Sequence, residues 1–156
     1  MKTTLILVGK TTGKLYSQAI EYYAKRIGHY MPFVIKTLPE LRSTKSLTEE
    51  QQKTKEGEMI LKNISSSDIV VLLDEHGHEY RSIEFAKWLE KKRNGGRNVT
   101  FVIGGPYGFS EDVYARANEQ ISLSKMTFSH QMVRLVFVEQ LYRACTIIKG
   151  EPYHHE

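Results

Sequence analysis

The sequence predicts an α/β fold: an open parallel sheet with helices on both faces. Three observations carry this expectation. Short β-branched runs alternate with longer stretches whose apolar residues recur at helical spacing, and no internal repeat or low-complexity segment interrupts them. The run Asp68 to Leu73 is apolar without alternation, as expected for a central strand buried on both faces of a parallel sheet. The chain has 156 residues, 40% hydrophobic and 26% charged, enough to build a core for one domain over residues 1–156.

Taken in order, Thr4 to Val8 reads as the first strand. Leu15, Ala19, Ile20, Tyr23 and Ile27 then recur on one helical face, with Gly28 as the stop. Phe33 to Leu38 is the second strand. The polar stretch Pro39 to Leu47 is the longest loop, and it ends in two overlapping capping boxes, Ser46 with Glu49 and Thr48 with Gln51. The helix that follows, to about Asn63, contains Gly57, a residue that favours a kink or fraying. After the Asp68–Leu73 strand, Ser82 is placed to cap a helix ending near Arg93, where Asn94-Gly95-Gly96 supplies a left-handed terminator. Val99 to Ile103 is the fourth strand, Ser110 with Glu111 and Asp112 starts a short helix, and Ile121 to Leu123 is a short fifth strand. The last helix, His130 to Lys149, is apolar on most of its circumference. Such a helix either lies sandwiched inside one chain or leaves a face for a second copy, and the surplus favours a homodimer.

Composition excludes several classes. The single cysteine, Cys145, can form neither an intrachain disulfide nor a cysteine-based zinc site, which points away from small secreted scaffolds. The longest aliphatic run, Ile69 to Leu73, is far below the ~20 residues of a membrane-spanning helix. Leu5 to Val8, followed by Gly9 and Lys10, is too short for a signal peptide, so a cytoplasmic location is expected. A net charge of +4 tilts the chain towards polyanionic partners without settling the matter.

Open parallel sheets bind ligands at the carboxyl ends of their strands, which places the candidate site in the loops after Leu73, Ile103 and Leu123. The turn Gly9-Lys10-Thr11-Thr12-Gly13-Lys14 is not a phosphate loop. Three residues rather than four separate its glycines, and Leu15 stands where a hydroxyl would hold magnesium. Gly104-Gly105-Pro106-Tyr107-Gly108 follows a buried strand directly and precedes a capped helix. It serves either close approach of a ligand to the main chain or a tight connection, and it is not the dinucleotide fingerprint. Leu123-Ser124-Lys125-Met126-Thr127-Phe128 is unusually apolar for a loop. It either plugs the core or lines a flat apolar crevice suited to a purine edge. None of the six histidines has metal-ligand spacing, so no metal site is expected, and no nucleophile elbow of a serine hydrolase occurs.

Three blocks, in this order and near the C-terminus, carry a resemblance. They are Ile103-Gly104-Gly105-Pro106-x-Gly108, then Leu123 to Phe128 with His130 and Arg134, then Glu139-Gln140-Leu141-Tyr142-Arg143-Ala144 running on to Tyr153-His154. With Leu7-Val8-Gly9-Lys10 and Lys55-Glu56-Gly57-Glu58 they make the whole chain resemble the RlmH family of SPOUT methyltransferases. That resemblance implies a deep C-terminal trefoil knot, S-adenosylmethionine as methyl donor, and a homodimer acting on the assembled ribosome. The target it implies is N3 of pseudouridine 1915 in the 23S ribosomal RNA of the large subunit. Carried over by position, Leu73, Gly104, Gly105, Leu123, Ser124, Lys125, Met126, Thr127 and Phe128 would hold the donor. The sequence departs from the family pattern at Ser129, where relatives usually carry proline, and at His155, where they carry a basic residue.

Methylating an imide nitrogen requires its proton to leave as the bond forms, which a positive neighbour assists. Arg143 and His154, with Tyr142 beside them, are the expected catalytic residues. Lys10, Arg134, Tyr153 and His155, with Lys125 and Arg143, are expected to meet RNA. The tail Tyr153-His154-His155-Glu156 reads either as a frayed end or as a segment reaching a partner's pocket.

Overall fold

The computed structural model describes all 156 residues. Five parallel strands form one sheet: β1 (Thr3–Val8), β2 (Phe33–Leu38), β3 (Ile69–Glu79), β4 (Val99–Ile103) and β5 (Glu119–Ser122), in the order β2-β1-β4-β3-β5. The helices are α1 (Lys14–Ile27), α2 (Glu49–Lys62), α3 (Ser82–Gly95), α4 (Glu111–Arg116) and α5 (His130–Lys149).

Side chains alternate across the sheet and divide the core in two. Leu5, Leu7, Val71 and Phe101 face α1, α3 and α5, meeting Ile20, Leu89, Phe137 and Leu141. Ile6, Val70, Leu72 and Val102 face the other way and pack with Ile60 of α2 and Val113 of α4. The α/β architecture with helices on both faces is therefore the one expected from periodicity.

Several expectations change in detail. The middle strand is β4, not Asp68–Leu73: all five β4 residues are buried and it pairs with β1 and β3. Thr100 is accommodated there because its hydroxyl donates to Asp68 Oδ2 at 3.2 Å. β3 continues past its apolar run to Glu79, through a register shift between Leu73 and His78. Gly77 permits this contact, since a Cβ there would lie 2.7 Å from the β5 main chain. β5 begins two residues earlier than its apolar letters suggest, which frees Leu123 for the loop.

Gly57 does not break α2; the helix is continuous, and a Cβ at this position would lie 2.3 Å from Ser110 Oγ. Of the two candidate capping boxes, Thr48 with Gln51 forms, while Ser46 belongs to a short 3₁₀ turn. Ser82 does not cap α3. Its hydroxyl donates to Gln140 Oε1 at 2.8 Å, and Glu84 instead accepts the Arg81 N–H at 2.7 Å. α5 packs against α1 and α3, and its apolar side chains are buried or half-buried, none fully exposed. The prominent exposed apolar residues are Leu15 at 83% and Met126 at 79%.

Residues 123–129 leave edge strand β5 and deliver α5 beside the end of β1, where Arg134 bonds to the Val8 carbonyl at 2.8 Å. They pass the ends of β3 and β4, a traverse of about 14 Å at ordinary strand spacing. This path is consistent with the trefoil threading that the resemblance implies.

Candidate functional site

A cavity of about 640 Å³ opens at the carboxyl ends of β3, β4 and β5. Its size suits a nucleoside-sized ligand. Three chain segments build it: Leu73–His76, Ile103–Phe109 and Ile121–Phe128, closed by His130 and Val133 of α5. The glycine segment is a compact turn with the Gly108 N–H donating to the Gly105 carbonyl at 3.2 Å. Gly108 has φ +82°, a conformation that L side chains rarely adopt. The apolar segment is pinned by its serines. Ser122 Oγ donates to the Ser124 carbonyl at 2.9 Å, and Ser124 Oγ accepts the Met126 N–H at 2.9 Å. Of the two sequence-based readings for this run, the crevice wall is the one realised.

Leu73, Gly104, Gly105, Leu123, Ser124, Met126, Thr127 and Phe128 all line this cavity. Lys125 does not: it is exposed and absent from the wall, at the bend that the Ser124–Met126 hydrogen bond closes.

The sequence reading missed a polar group on the rim. Asp74 accepts a hydrogen bond from the Tyr114 hydroxyl and one from the His76 N–H at 2.8 Å, with His76 Nδ1 3.2 Å away. Burial, reinforced by the bond to Asp74, pushes the Tyr114 phenol up to about 12, so it stays a donor at neutral pH. The wall carries Asp74 and Glu75 but no lysine or arginine, which suits a cationic ligand. Asp74 was findable as the first charged residue at the end of a buried parallel strand; Tyr114 carried no local signal.

On α5, Arg134 is 0% exposed. Its guanidinium donates to the Val8 carbonyl (2.8 Å), the Gly9 carbonyl (2.9 Å) and Thr11 Oγ1 (3.0 Å), and its second terminal nitrogen lies 3.1 Å from His130 Nε2. The expectation that Arg134 meets RNA is corrected accordingly, since a fully buried guanidinium with these partners holds the β1–α1 turn instead. Lys10, exposed on that turn, remains accessible. His130, in the cavity wall, has its pKa lowered by burial and then by the Arg134 charge.

The expected catalytic residues form a second cluster. Arg143 donates to Glu139 Oε1 at 2.6 Å and lies 3.1 Å from His154 Nδ1. Tyr153 donates to the same carboxylate oxygen at 3.0 Å and stacks edge-on against Tyr142, with ring centroids 4.8 Å apart. Burial, its hydrogen bond with Tyr23 and its donation to Glu139 push the Tyr153 phenol far above its ordinary range. Glu156 pairs with Arg81 at 2.6 Å, so the tail is docked rather than frayed, while His155 faces solvent. Arg143 Nε and His154 Nε2 are buried without a partner. None of Tyr142, Arg143 or His154 lines the cavity of its own chain. Arg143 lies thirteen residues along α5 from His130, about 20 Å at the helical rise.

A family model described as "Predicted SPOUT methyltransferase" matches residues 1–154. The chain belongs to the SPOUT methyltransferase family. Within that family, the ribosomal RNA large subunit methyltransferase H of Bacteroides fragilis is 60% identical, covering 100% of both chains. Its namesake from Phocaeicola vulgatus is 57% identical over the same full coverage. Among solved structures, the tRNA (m1G37) methyltransferase of Aquifex aeolicus superposes with a TM-score of 0.60 at 14% identity. That match covers 100% of this chain and 76% of the other and establishes the shared SPOUT fold. A methyltransferase of this family uses a methyl-donor cofactor, and the cavity, with its exposed main chain, aliphatic walls and acidic rim, fits such a group.

Proposed function

We propose that the chain methylates N3 of pseudouridine 1915 in large-subunit ribosomal RNA with S-adenosylmethionine as donor, acting in the cytoplasm on the assembled ribosome as a homodimer. The observation that carries the reading is the convergence of the three C-terminal segments on one nucleoside-sized cavity whose only formally charged side chains are acidic. Full-length relatives bearing the name ribosomal RNA large subunit methyltransferase H support the RNA substrate.

The bound donor supplies a methyl group already activated on a sulfonium. The protein's task is then alignment and charge stabilisation. The Gly104–Gly108 turn and the Leu123–Phe128 run hold the adenosine portion through main chain and apolar contact. Arg143 and His154 face the imide. His154 Nδ1 accepts from Arg143, which leaves the unpartnered Nε2 to carry the ring proton and donate it. Together they stabilise negative charge on the uracil ring as the N3 proton departs to solvent. Lys10, Tyr153 and His155 engage the RNA around the target.

Val133, the cavity-wall residue of α5 nearest in sequence to Arg143, is ten residues and about 15 Å of helix away, which supports a site completed by a second copy, with one protomer's cavity facing the other's Arg143 and tail. Exposed Leu15 and the half-buried Met132 of α5 supply apolar surface for that contact.

The test is mass spectrometry of ribosomal RNA from a deletion strain. Complementation with the wild-type chain restores the methyl mark, and a truncation before Tyr153 does not. Co-expression of Arg143→Ala with a cavity-blocked Gly104→Trp chain restores partial modification, because one of the two sites in a mixed dimer is intact. Full modification by either variant alone would overturn the assignments.

A further inference from the structure

Helix α2 takes part in none of the roles above, yet it clamps the glycine turn from outside the cavity. Glu56 is 5% exposed, a buried charge on the side of the sheet served by the smaller core cluster. A Cβ added to Gly105 would lie 2.3 Å from Glu56 Oε1 and 2.7 Å from Oε2, so the carboxylate rests directly on that glycine. The Gly105 N–H faces the carboxylate, and Gln52 Nε2 donates to Oε2 at 3.3 Å. The neighbouring Gly57 meets the far end of the same segment, at Ser110, the N-cap of α4. Two consecutive residues of α2 thus fix both ends of the stretch from Gly105 to Ser110.

Filling space is not a sufficient reason for this residue. An apolar side chain would fill the volume without the cost of burying a carboxylate, whereas the carboxylate presents an acceptor to the main chain of the turn. Gly105 has no positive φ, so its lack of a side chain is required by the carboxylate and not by its backbone conformation.

We propose that Glu56 is a positioning residue for methyl transfer: by packing its carboxylate against Gly105 it sets where the glycine turn presents its main chain to the methyl donor, without touching donor or RNA. The inference rests on the donor-site reading above. Burial raises the Glu56 pKa above the ordinary glutamate value, while the bonds from Gln52 and Gly105 oppose that rise, as expected for a carboxylate kept for its acceptor.

Calorimetry with S-adenosylmethionine on the full chain, paired with steady-state kinetics on ribosomes, tests it. Glu56→Ala is expected to weaken donor binding by about tenfold, the scale of one lost charge-assisted bond, with kcat at saturating donor within about twofold of wild type. Glu56→Gln, which keeps an acceptor oxygen, is expected to bind within about threefold of wild type. Gly105→Ala weakens binding in the wild-type background, where its methyl group meets the carboxylate, and adds nothing in the Glu56→Ala background. Thermal unfolding checks each variant; if Glu56→Ala does not fold, Glu56→Met takes its place. Wild-type donor binding that is unchanged in Glu56→Ala or Glu56→Met, or a Gly105→Ala effect equal in both backgrounds, overturns the proposal alone. Absence of donor binding by the wild type overturns the donor-site reading and this inference with it.

Discussion

The cavity at the strand ends and the Arg143 cluster at the far end of α5 are built on opposite principles. The cavity is mostly backbone: a glycine turn, a traversing loop and strand ends, shaped by positive φ at Gly108 and by serine side chains bonding to nearby main chain. The Arg143 cluster is all side chain, a guanidinium, a carboxylate, an imidazole and two phenols that orient one another. The first kind of site binds by shape and is spoiled by volume. The second acts by charge and is spoiled by loss of one group.

The largest expected effect follows from that contrast. Arg143→Ala should lower single-turnover methylation by about 10²–10³-fold, the usual loss when one preorganised charge-stabilising donor is removed. Calorimetric affinity for S-adenosylmethionine should stay within about twofold of wild type, because Arg143 is assigned to the imide while the donor is held by the glycine turn and the Leu123–Phe128 run. Methylation and donor affinity falling together would erase the division between the two regions.

Arg134 and Lys10 sharpen the comparison on the side facing RNA. Arg134→Ala leaves the Val8 and Gly9 carbonyls and the Thr11 hydroxyl short of a buried donor, at a cost of about 3 kcal/mol in urea unfolding. The folded fraction should keep the wild-type salt dependence of ribosome binding. Lys10→Ala should do the reverse, with stability within about 0.5 kcal/mol and a salt slope reduced by about one. A reduced slope for Arg134→Ala would return that residue to the RNA surface.

These predictions also show what was legible in the sequence. β2, β4 and α5 lie at their expected bounds because β-branched runs and capping signals agree with tertiary packing there. The extension of β3 through Asp74–Glu79 was not legible, because its pairing with β5 depends on Gly77 lying against another main chain rather than on apolar alternation. In the cavity, glycine and apolar spacing identified the wall but not which way Lys125 points. Arg134 was misread because a charge on an apolar helix looks the same in sequence whether it faces solvent or bonds to carbonyls more than 120 residues away.

A smaller effect separates the regions by pH. Burial and the Arg134 charge hold His130 below the ordinary imidazole value, so the ring is neutral at pH 7. The unfolded chain takes up this proton near pH 6.5 and the native chain only at lower pH. Stability from this group is therefore present above the unfolded value and lost as pH falls towards the depressed native one. Protonation would also place a cation in a wall that faces a sulfonium. Donor affinity should fall as pH drops below the ordinary imidazole range, and His130→Gln should flatten that profile. An equally steep profile in the variant would move the titration to another group.

The smallest effect concerns the junction between the two regions, where α5 leaves the traversing loop. Ser129, where the family resemblance leads one to expect proline, accepts the Met132 N–H at 3.2 Å and so caps the helix. Ser129→Ala removes that acceptor and should cost about 1 kcal/mol in urea unfolding. Ser129→Pro loses the same bond, but the native φ of −61° already matches a pyrrolidine ring. The stiffer unfolded chain then offsets most of the lost cap, leaving stability within about 0.5 kcal/mol of wild type. Serine and proline thus reach one helix entrance by different routes, the first by a hydrogen bond and the second by restricting the chain. If both variants lose the same stability, the cap alone governs this entrance and the two residues are not physical equivalents.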